Sequence, residues 1–511
     1  MIAVTCINRA FLSVQVADFG FFNPFLKLIE VGNLFSSAYK ACTVITIAIL
    51  LVWISSGCVS PRTTAPVPST KLTAVVHIET QIEREMARND LPGVALFVMR
   101  GDEVLVNTGF GYEDLTQQTP TRADTYFQIG SISKCFTAVA VLKLIEAGKL
   151  DLETPVGEIL KDSPPAWRNI RIRHLLNHTS GIPEYTTLED YGDMDFSDPK
   201  ENGWGRIYKK VCAIPLYFEP GTSGAYSNTN YHLLAMVVEA VTGKPFHKHL
   251  YQFLKHQNIQ EVLPMEMAGD KAAVGYHRIE GIYHPTPAIN HHMVTGDGGL
   301  VATAPGLAKW LRALATGQIL NENSLKAMTS GTVLPNLGPW EYGFGLDLRD
   351  LQGEPKLWHT GSMPGFAAAV AYYPRADLTI AVCTNTGDYH YPEQLEINIA
   401  REMLDLEIPL FAEVPLDHGS IDRYLGVFDA GPLWLEIKYQ EGRLVALVRD
   451  PRASHGAVYT FSPLRYQGDG QFVGITAPDS LFFQFHSNDN TVAFDALGIR
   501  WIAQKMPIEI P

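Results

Sequence analysis

At 511 residues the chain has room for two to four domains of about 150 residues, and its 46% hydrophobic content is ample for a large core. Charged side chains make up 18%, with 42 Gly and 32 Pro, which excludes collagen-like, coiled-coil and wholly disordered chains. Forty basic against 54 acidic side chains leave a formal charge of -14 with no offsetting basic run, which argues against nucleic acid as a partner.

The first 58 residues carry Arg9, Lys27 and Lys40 against Asp18 and Glu30, so the acidity belongs to residues 59–511. After Lys40 comes the uncharged run Ala41 to Ile54, then Ser55-Ser-Gly-Cys58. A basic flank, an apolar stretch of this length and small residues at its end predict an export signal, too short for the roughly 20 residues of a membrane-crossing helix. The Ser-Ser-Gly-Cys ending resembles the lipobox of bacterial lipoproteins, with Ser55 where that pattern prefers Leu. The resemblance implies lipidation of Cys58, attachment to a membrane and a place in the cell envelope or periplasm. An uncleaved anchor or a buried helix is the alternative. Because about 40 residues precede the apolar run, initiation near Val31 or Leu34 would give the signal its usual place. Residues 59–71, rich in Pro, Thr and Ser, read as a tether.

From Leu72 to about Leu410 helical and strand patterns mix. Val75 to Asn89 has amphipathic spacing, and Gly93 to Met99 and Glu103 to Val106 read as strands joined at Arg100-Gly-Asp102. Ile132 to Glu146 is apolar on nearly every side, as a helix buried all round must be, and stops at Gly148. Asn230 to Val241, Ala302 to Ala315 and Glu393 to Leu404 read as further helices, and Ala367 to Tyr373 and Leu378 to Thr384 as strands. Strands at both ends with helices between predict one α/β layer fold, its termini paired in a sheet and a helical insert between them. Over 416–511, short β-branched and aromatic runs separated by Gly, Asp, Asn and Pro predict a separate antiparallel barrel or sandwich. These runs are Trp434 to Tyr439, Leu444 to Val448, Val458 to Phe461, Phe472 to Ile475, Leu481 to Phe485, Val492 to Phe494 and Trp501 to Gln504.

Three short motifs carry chemistry. Ser131-Ile-Ser-Lys134 is one of three Ser-x-x-Lys patterns, and context separates it from the others. Ser37 to Lys40 lies in the export segment, and Ser197 to Lys200 contains a proline that breaks helical register. Ser131 follows the strand-like Tyr126 to Gly130 and opens the buried helix, so its hydroxyl meets the positive end of a dipole with a lysine on the same face. A buried lysine of lowered pKa can take the serine proton. Tyr226-Ser-Asn228 pairs a phenol able to move protons with an amide able to hold a substrate amide; alone it reads equally as a turn with Asn228 as helix N-cap. His359-Thr-Gly361, before Ser362, offers a polar edge strand that a substrate backbone can approach.

In order and spacing, Phe127 to Ala138, Pro220 to Asn228 and His359 to Gly361 resemble the three motifs of the β-lactamase-related serine hydrolases, which include class C β-lactamases, DD-peptidases, D-aminopeptidases and esterases. His174 to Gly181 and Gly298 to Thr303 look like further family segments. The resemblance spans about Val75 to Leu404 and implies an antiparallel sheet flanked by helices. It makes Ser131 the nucleophile, Lys134 its activating partner, Tyr226 the second proton-transfer group and Asn228 the holder of the acyl-side amide. It further implies an oxyanion hole from the amides of Ser131 and Ser362, with His359, Thr360 and Gly361 along the substrate. No metal or organic cofactor is implied. One departure stands out: class C β-lactamases usually carry Lys where this chain has His359, and imidazole is only partly protonated near neutral pH. The β region resembles the lipocalin-like module appended to some family members, entered at Tyr424 to Phe428.

The remaining suspects read as structural. His174 and His178 stand four apart without an evident third ligand, His291-His292 lies in a polar loop, and Cys135 points away from Lys134 on its helix. The six cysteines are too scattered for a disulfide framework or a metal knuckle. The expectation is an exported serine hydrolase forming an acyl-enzyme on a small-molecule or peptide substrate, D-residue cell-wall-type peptides or esters, with oligomeric state left open. A β-lactamase proper is the alternative within the class, and a non-catalytic peptidoglycan-binding envelope protein the alternative outside it.

Overall fold

Gly93 to Arg100 forms the predicted strand, β1, and all but its last residue are buried, as a strand covered on both faces requires. The structure is a computed structural model that describes residues 69–188, 203–279, 281–287, 294–387, 390–408 and, with short gaps, 414–506. The export segment with Cys58, most of the tether and the His291-His292 pair lie outside the described residues. The first helix, α1 (Ser69–Asn89), begins inside the stretch read as a tether.

β2 (Glu103–Asp114) pairs with β1 through a bulge at Val98/Met99 and runs eight residues beyond the predicted end. With β3 (Thr119–Pro120), β4 (Leu357–Met363), β5 (Phe366–Tyr373) and β6 (Leu378–Thr384) it completes a six-stranded antiparallel sheet of order β4-β5-β6-β1-β2-β3. Val94 pairs with Thr384 and Arg100 with Leu378, so the two ends of the α/β region close on each other as the sequence predicts.

The period-2 rule divides the two helix layers. Ala95, Phe97, Ala368, Val370 and Ala381 face one cluster, which holds α2 (Ser133–Glu146), α3 (Asn228–Thr242) and α4 (Ala304–Ala315). Val94, Leu96, Val98, Ile380 and Val382 face the other, with Ile78 and Ile82 of α1 and Leu395 and Ile399 of α5 (His390–Leu404). Each fully buried Val, Leu or Ile here contributes about 1.5–3 kcal/mol of transfer free energy. α4 starts two residues later than predicted, because Leu300–Ala302 is a short strand and Thr303 caps the helix, its Oγ accepting from the Gly306 amide at 3.1 Å.

The β region is a closed eight-stranded barrel: β7 (Gly426–Asp429), β8 (Trp434–Gln440), β9 (Arg443–Arg449), β10 (Val458–Gly468), β11 (Gln471–Gly474), β12 (Phe482–His486), β13 (Thr491–Ala496) and β14 (Ile499–Lys505). β7, which the sequence pattern treats only as an entry segment, closes it by pairing with both β8 and β14. The barrel interior shares one hydrophobic cluster with Leu334, Trp340 and Tyr342, from and just after the hairpin Thr332–Leu334/Gly338–Trp340 of the α/β region.

Candidate active site

Ser131 sits in a short 3-10 turn, Gly130–Ile132, that leads into α2, so it stands two residues ahead of the helix that the sequence has it open. The turn needs Gly130, whose φ is +47° and on which a Cβ would lie 2.7 Å from the Ser362 amide nitrogen. Edge strand β4 presses from the other side: a Cβ on Gly361 would lie 1.9 Å from the Ile129 carbonyl oxygen and 2.9 Å from the Ser131 amide nitrogen. Glycine at both positions therefore brings the backbones carrying the Ser131 and Ser362 amides into contact. The Ser362 hydroxyl turns away and donates to the Gly387 carbonyl at 2.6 Å.

Lys134, fully buried on the first turn of α2, donates to Ser131 Oγ at 3.0 Å, to Asn228 Oδ1 at 2.7 Å and to the Asp297 carbonyl at 2.8 Å. Burial lowers its pKa to about 8, against the opposing pull of the Asp297 and Glu184 carboxylates. Roughly a tenth of the amine is thus neutral at pH 7. Tyr226 bonds the Ser131 side chain, and its ring lies 4.9 Å from the Lys134 ammonium. Burial pushes the phenol well above its ordinary pKa, so it stands protonated, as a donor.

Asn228 is the first residue of α3; the cap position belongs to Ser227, whose side chain makes no cap bond. The orphan Asn228 amide instead donates to Glu184, a buried carboxylate from a distant loop that also accepts from Asn228 Nδ2 at 3.0 Å. Asn228 is therefore held at both ends of its side chain, leaving one Nδ2 hydrogen for a substrate carbonyl. Burial raises the Glu184 pKa while these bonds act to lower it.

His359 is buried, and two contacts set its tautomer. The Thr360 carbonyl can only accept, so Nδ1 carries the proton, and Nε2 accepts from the Tyr342 hydroxyl at 3.0 Å. Burial, reinforced by the Lys134 charge, lowers the His359 pKa to about 4. The third motif consequently presents a neutral imidazole, where the sequence predicted a partly protonated one.

Four groups at the site escaped the sequence motifs. Glu184 and Asp297 adjoin the family-like segments His174 to Gly181 and Gly298 to Thr303, and that adjacency was the available signal. Asp297 stays ionised below the usual carboxylate range despite burial, held by His232 and the Tyr185 hydroxyl, the latter at 2.6 Å. Tyr342 had no local signature. His178, read as structural, is wholly buried and neutral, and its ring lies 4.4 Å from that of Tyr226 and 4.7 Å from that of Tyr342. His174 takes the Arg171 amide at 3.2 Å. Cys135 donates to the Gly345 carbonyl inside the core, with its thiol pushed up to about 12. Among the described residues no group of three or more His, Cys, Asp or Glu is placed to hold a metal ion.

The order of nucleophile turn, buried lysine, tyrosine and edge strand along one sheet has a counterpart among known proteins. The model of the family described as Beta-lactamase matches residues 78–402. The chain belongs to that family. Protein flp of Staphylococcus aureus strain MW2 is 24% identical over 337 residues, covering 62% of this chain and 64% of the relative, so the chain spans just under two thirds of that curated relative. The octameric penicillin-binding protein homologue from Pyrococcus abyssi superposes with a TM-score of 0.59 at 24% identity, over 84% of this chain and 99% of its own. A D-stereospecific amidohydrolase from a Streptomyces species gives 0.54 at 25% identity, over 67% of this chain and all of its own. In this Beta-lactamase family chain the motif residues come from two helix N-termini and an edge strand that the fold brings together.

Proposed function

We propose that this Beta-lactamase family member is a serine hydrolase acting through an acyl-enzyme on Ser131. The observation that carries this reading is the contact between the wholly buried Lys134 amine and Ser131 Oγ. In the neutral form Lys134 takes the hydroxyl proton as Oγ attacks a substrate carbonyl. The amides of Ser131 and Ser362 receive the developing oxyanion, each such donor being worth about 10²–10³ in rate. Tyr226, protonated, supplies the leaving group with a proton; the same groups in reverse activate the water that releases the acyl group. The remaining Asn228 Nδ2 hydrogen orients the acyl side.

The substrate class follows from His359. With both ring nitrogens taken by Thr360 and Tyr342, the neutral imidazole beside the edge strand brings no charge for a carboxylate, which favours D-residue amides, esters and carboxylate-blocked D-residue peptides over free-acid peptides and anionic β-lactams. The resemblance to a D-stereospecific amidohydrolase supports the same choice. A hydrolysis panel of D-aminoacyl amides, D-Ala-D-Ala peptides, short acyl esters and nitrocefin tests it. Uncharged amides or esters are expected to be turned over with the highest kcat/KM; preference for nitrocefin would make the protein a β-lactamase proper.

We propose in addition that the protein is exported and held to a membrane through Cys58. Intact-mass measurement of the mature N-terminus is expected to show a lipid-modified cysteine, and an unmodified Cys58 within an uncleaved chain would reject this.

A further inference from the structure

The barrel interior is packed by Leu435, Ile437, Leu444, Phe483, Val492 and Phe494, yet at one end the packing stops and a cavity of about 390 Å³ opens. It lies between the turn leading into β7 and the β10–β11 and β12–β13 hairpin turns. Its floor is aromatic: Tyr424 and Phe428 lie nearly inaccessible beneath it and Tyr466 and Phe485 are half-buried at its sides, with the Tyr424 ring 5.0 Å from Phe485 and 6.3 Å from Tyr466; polar side chains make up most of the rest of the lining. At the rim stand two cations. The Arg423 guanidinium lies 4.5 Å over the Tyr424 ring and bonds that phenol. The Lys505 ammonium lies 5.7 Å over Phe428 and donates to the Arg423 carbonyl at 3.3 Å.

Counting donors makes the rim informative. An ammonium has three N-H bonds and a guanidinium five, so each cation retains donors after these contacts. Asp469 is the one carboxylate lining the cavity, and its side chain accepts from none of these donors among the described residues. A rim of positive charge on a chain whose net charge is -14 is a local reversal of sign. Cavities of some 300–1,000 Å³ with apolar walls and a few convergent polar groups are the general form of small-ligand sites, and the mouths of barrels are among their usual places.

We propose that the barrel mouth is a binding site, separate from the Ser131 cleft, for a small aromatic anion of one or two rings bearing a carboxylate or sulfonate. The rings rest on Tyr466 and Phe485, whose faces remain partly accessible, and the anionic group stays at the rim with Arg423 and Lys505. Neither feature suffices alone: without the cations the mouth would take neutral aromatics equally well, and without the aromatic walls it would hold any small anion. The proposal is independent of whether Ser131 is acylated.

The test uses the full chain with two dyes of the same ring system, anionic 1-anilinonaphthalene-8-sulfonate and uncharged N-phenyl-1-naphthylamine, followed by fluorescence titration. The expected result is one saturable sulfonate site per chain, tighter than the uncharged dye and displaced by 2-naphthoate. Arg423→Glu with Lys505→Glu is expected to weaken the sulfonate by about tenfold or more, leaving the uncharged dye unchanged. Should the double variant fold poorly, Lys505→Gln alone is expected to weaken it by a smaller factor, and Thr491→Trp to block both dyes sterically. Labelling of Ser131 by a fluorophosphonate is expected to leave dye affinity unchanged. Equal affinity for the two dyes, insensitivity to the charge reversals, or loss of the site on labelling Ser131 would overturn the proposal.

Discussion

The lysine beside Ser131 governs how activity should depend on pH. With a folded pKa near 8, set by burial, the catalytically useful neutral amine is the minor form below that pH and the major form above it. We expect kcat/KM to rise with pH and reach half its plateau near pH 8, whereas a profile flat from pH 6 to 10 would exclude Lys134 as the base. Lys134→Met should lower acylation by about 10³-fold or more. His359 supplies a second prediction. Since it is neutral above about pH 4, His359→Lys should raise kcat/KM for carboxylate-bearing substrates about tenfold relative to their amides, one charge-assisted hydrogen bond being worth that factor. An unchanged carboxylate-to-amide ratio would mean that the third motif does not read substrate charge. At this scale the sequence was highly legible, because Ser131, Lys134, Tyr226, Asn228 and His359 all lie in short ordered motifs. What it left hidden were partners that reach the site from elsewhere: Glu184 under Asn228, and Tyr342 on His359, which settles the tautomer and charge of the motif histidine. Hydrogen bonds spanning 44 and 17 residues leave no local pattern.

Among the elements, the strand and turn that carry the Ser131 and Ser362 amides depend on the smallest side chain at Gly130 and Gly361. Gly361→Ala places a methyl 1.9 Å from the Ile129 carbonyl oxygen, a contact that only a backbone shift can relieve. We expect this variant to keep its helical circular dichroism while losing about 10²–10³ in the acylation rate, the magnitude of one misplaced oxyanion donor; retention of wild-type acylation would mean that the strand edge is not part of the hole. Element existence followed from periodicity wherever the period was clean, as in β1, β6 and α2. Boundaries moved where a cap or turn intervened. Thr303 delays α4, the 3-10 turn at Gly130 sets Ser131 ahead of α2, and Ser227 takes the cap position that Asn228 alone would suggest. β7 was missed because a four-residue strand that begins with a glycine carries too little alternation to separate a strand from a loop.

Across the whole molecule, the barrel and the α/β region meet through Trp340. Its ring occupies the space that a side chain at position 224 would need, its Nε1 donates to the Asn177 carbonyl at 2.7 Å, and its cluster continues into the barrel interior on one side and to Tyr226 on the other. Trp340→Ala should cost about 3–5 kcal/mol of stability, the usual range for emptying a buried tryptophan site, read as a lowered thermal midpoint accompanied by slower acylation. A midpoint shift without any change in acylation would show that the barrel contact does not support the site. The Pyrococcus abyssi homologue, which aligns over 84% of this chain, has the same fold. Acylation of Ser131 through neutral Lys134 is read out most directly by intact-mass measurement of the full chain treated with a fluorophosphonate or a slow ester at several pH values. One covalent adduct is expected, mapped to the peptide containing Ser131, absent from Ser131→Ala and forming half-maximally fast near pH 8. An adduct that persists in Ser131→Ala, or no adduct with any acylating or phosphonylating reagent, would contradict it.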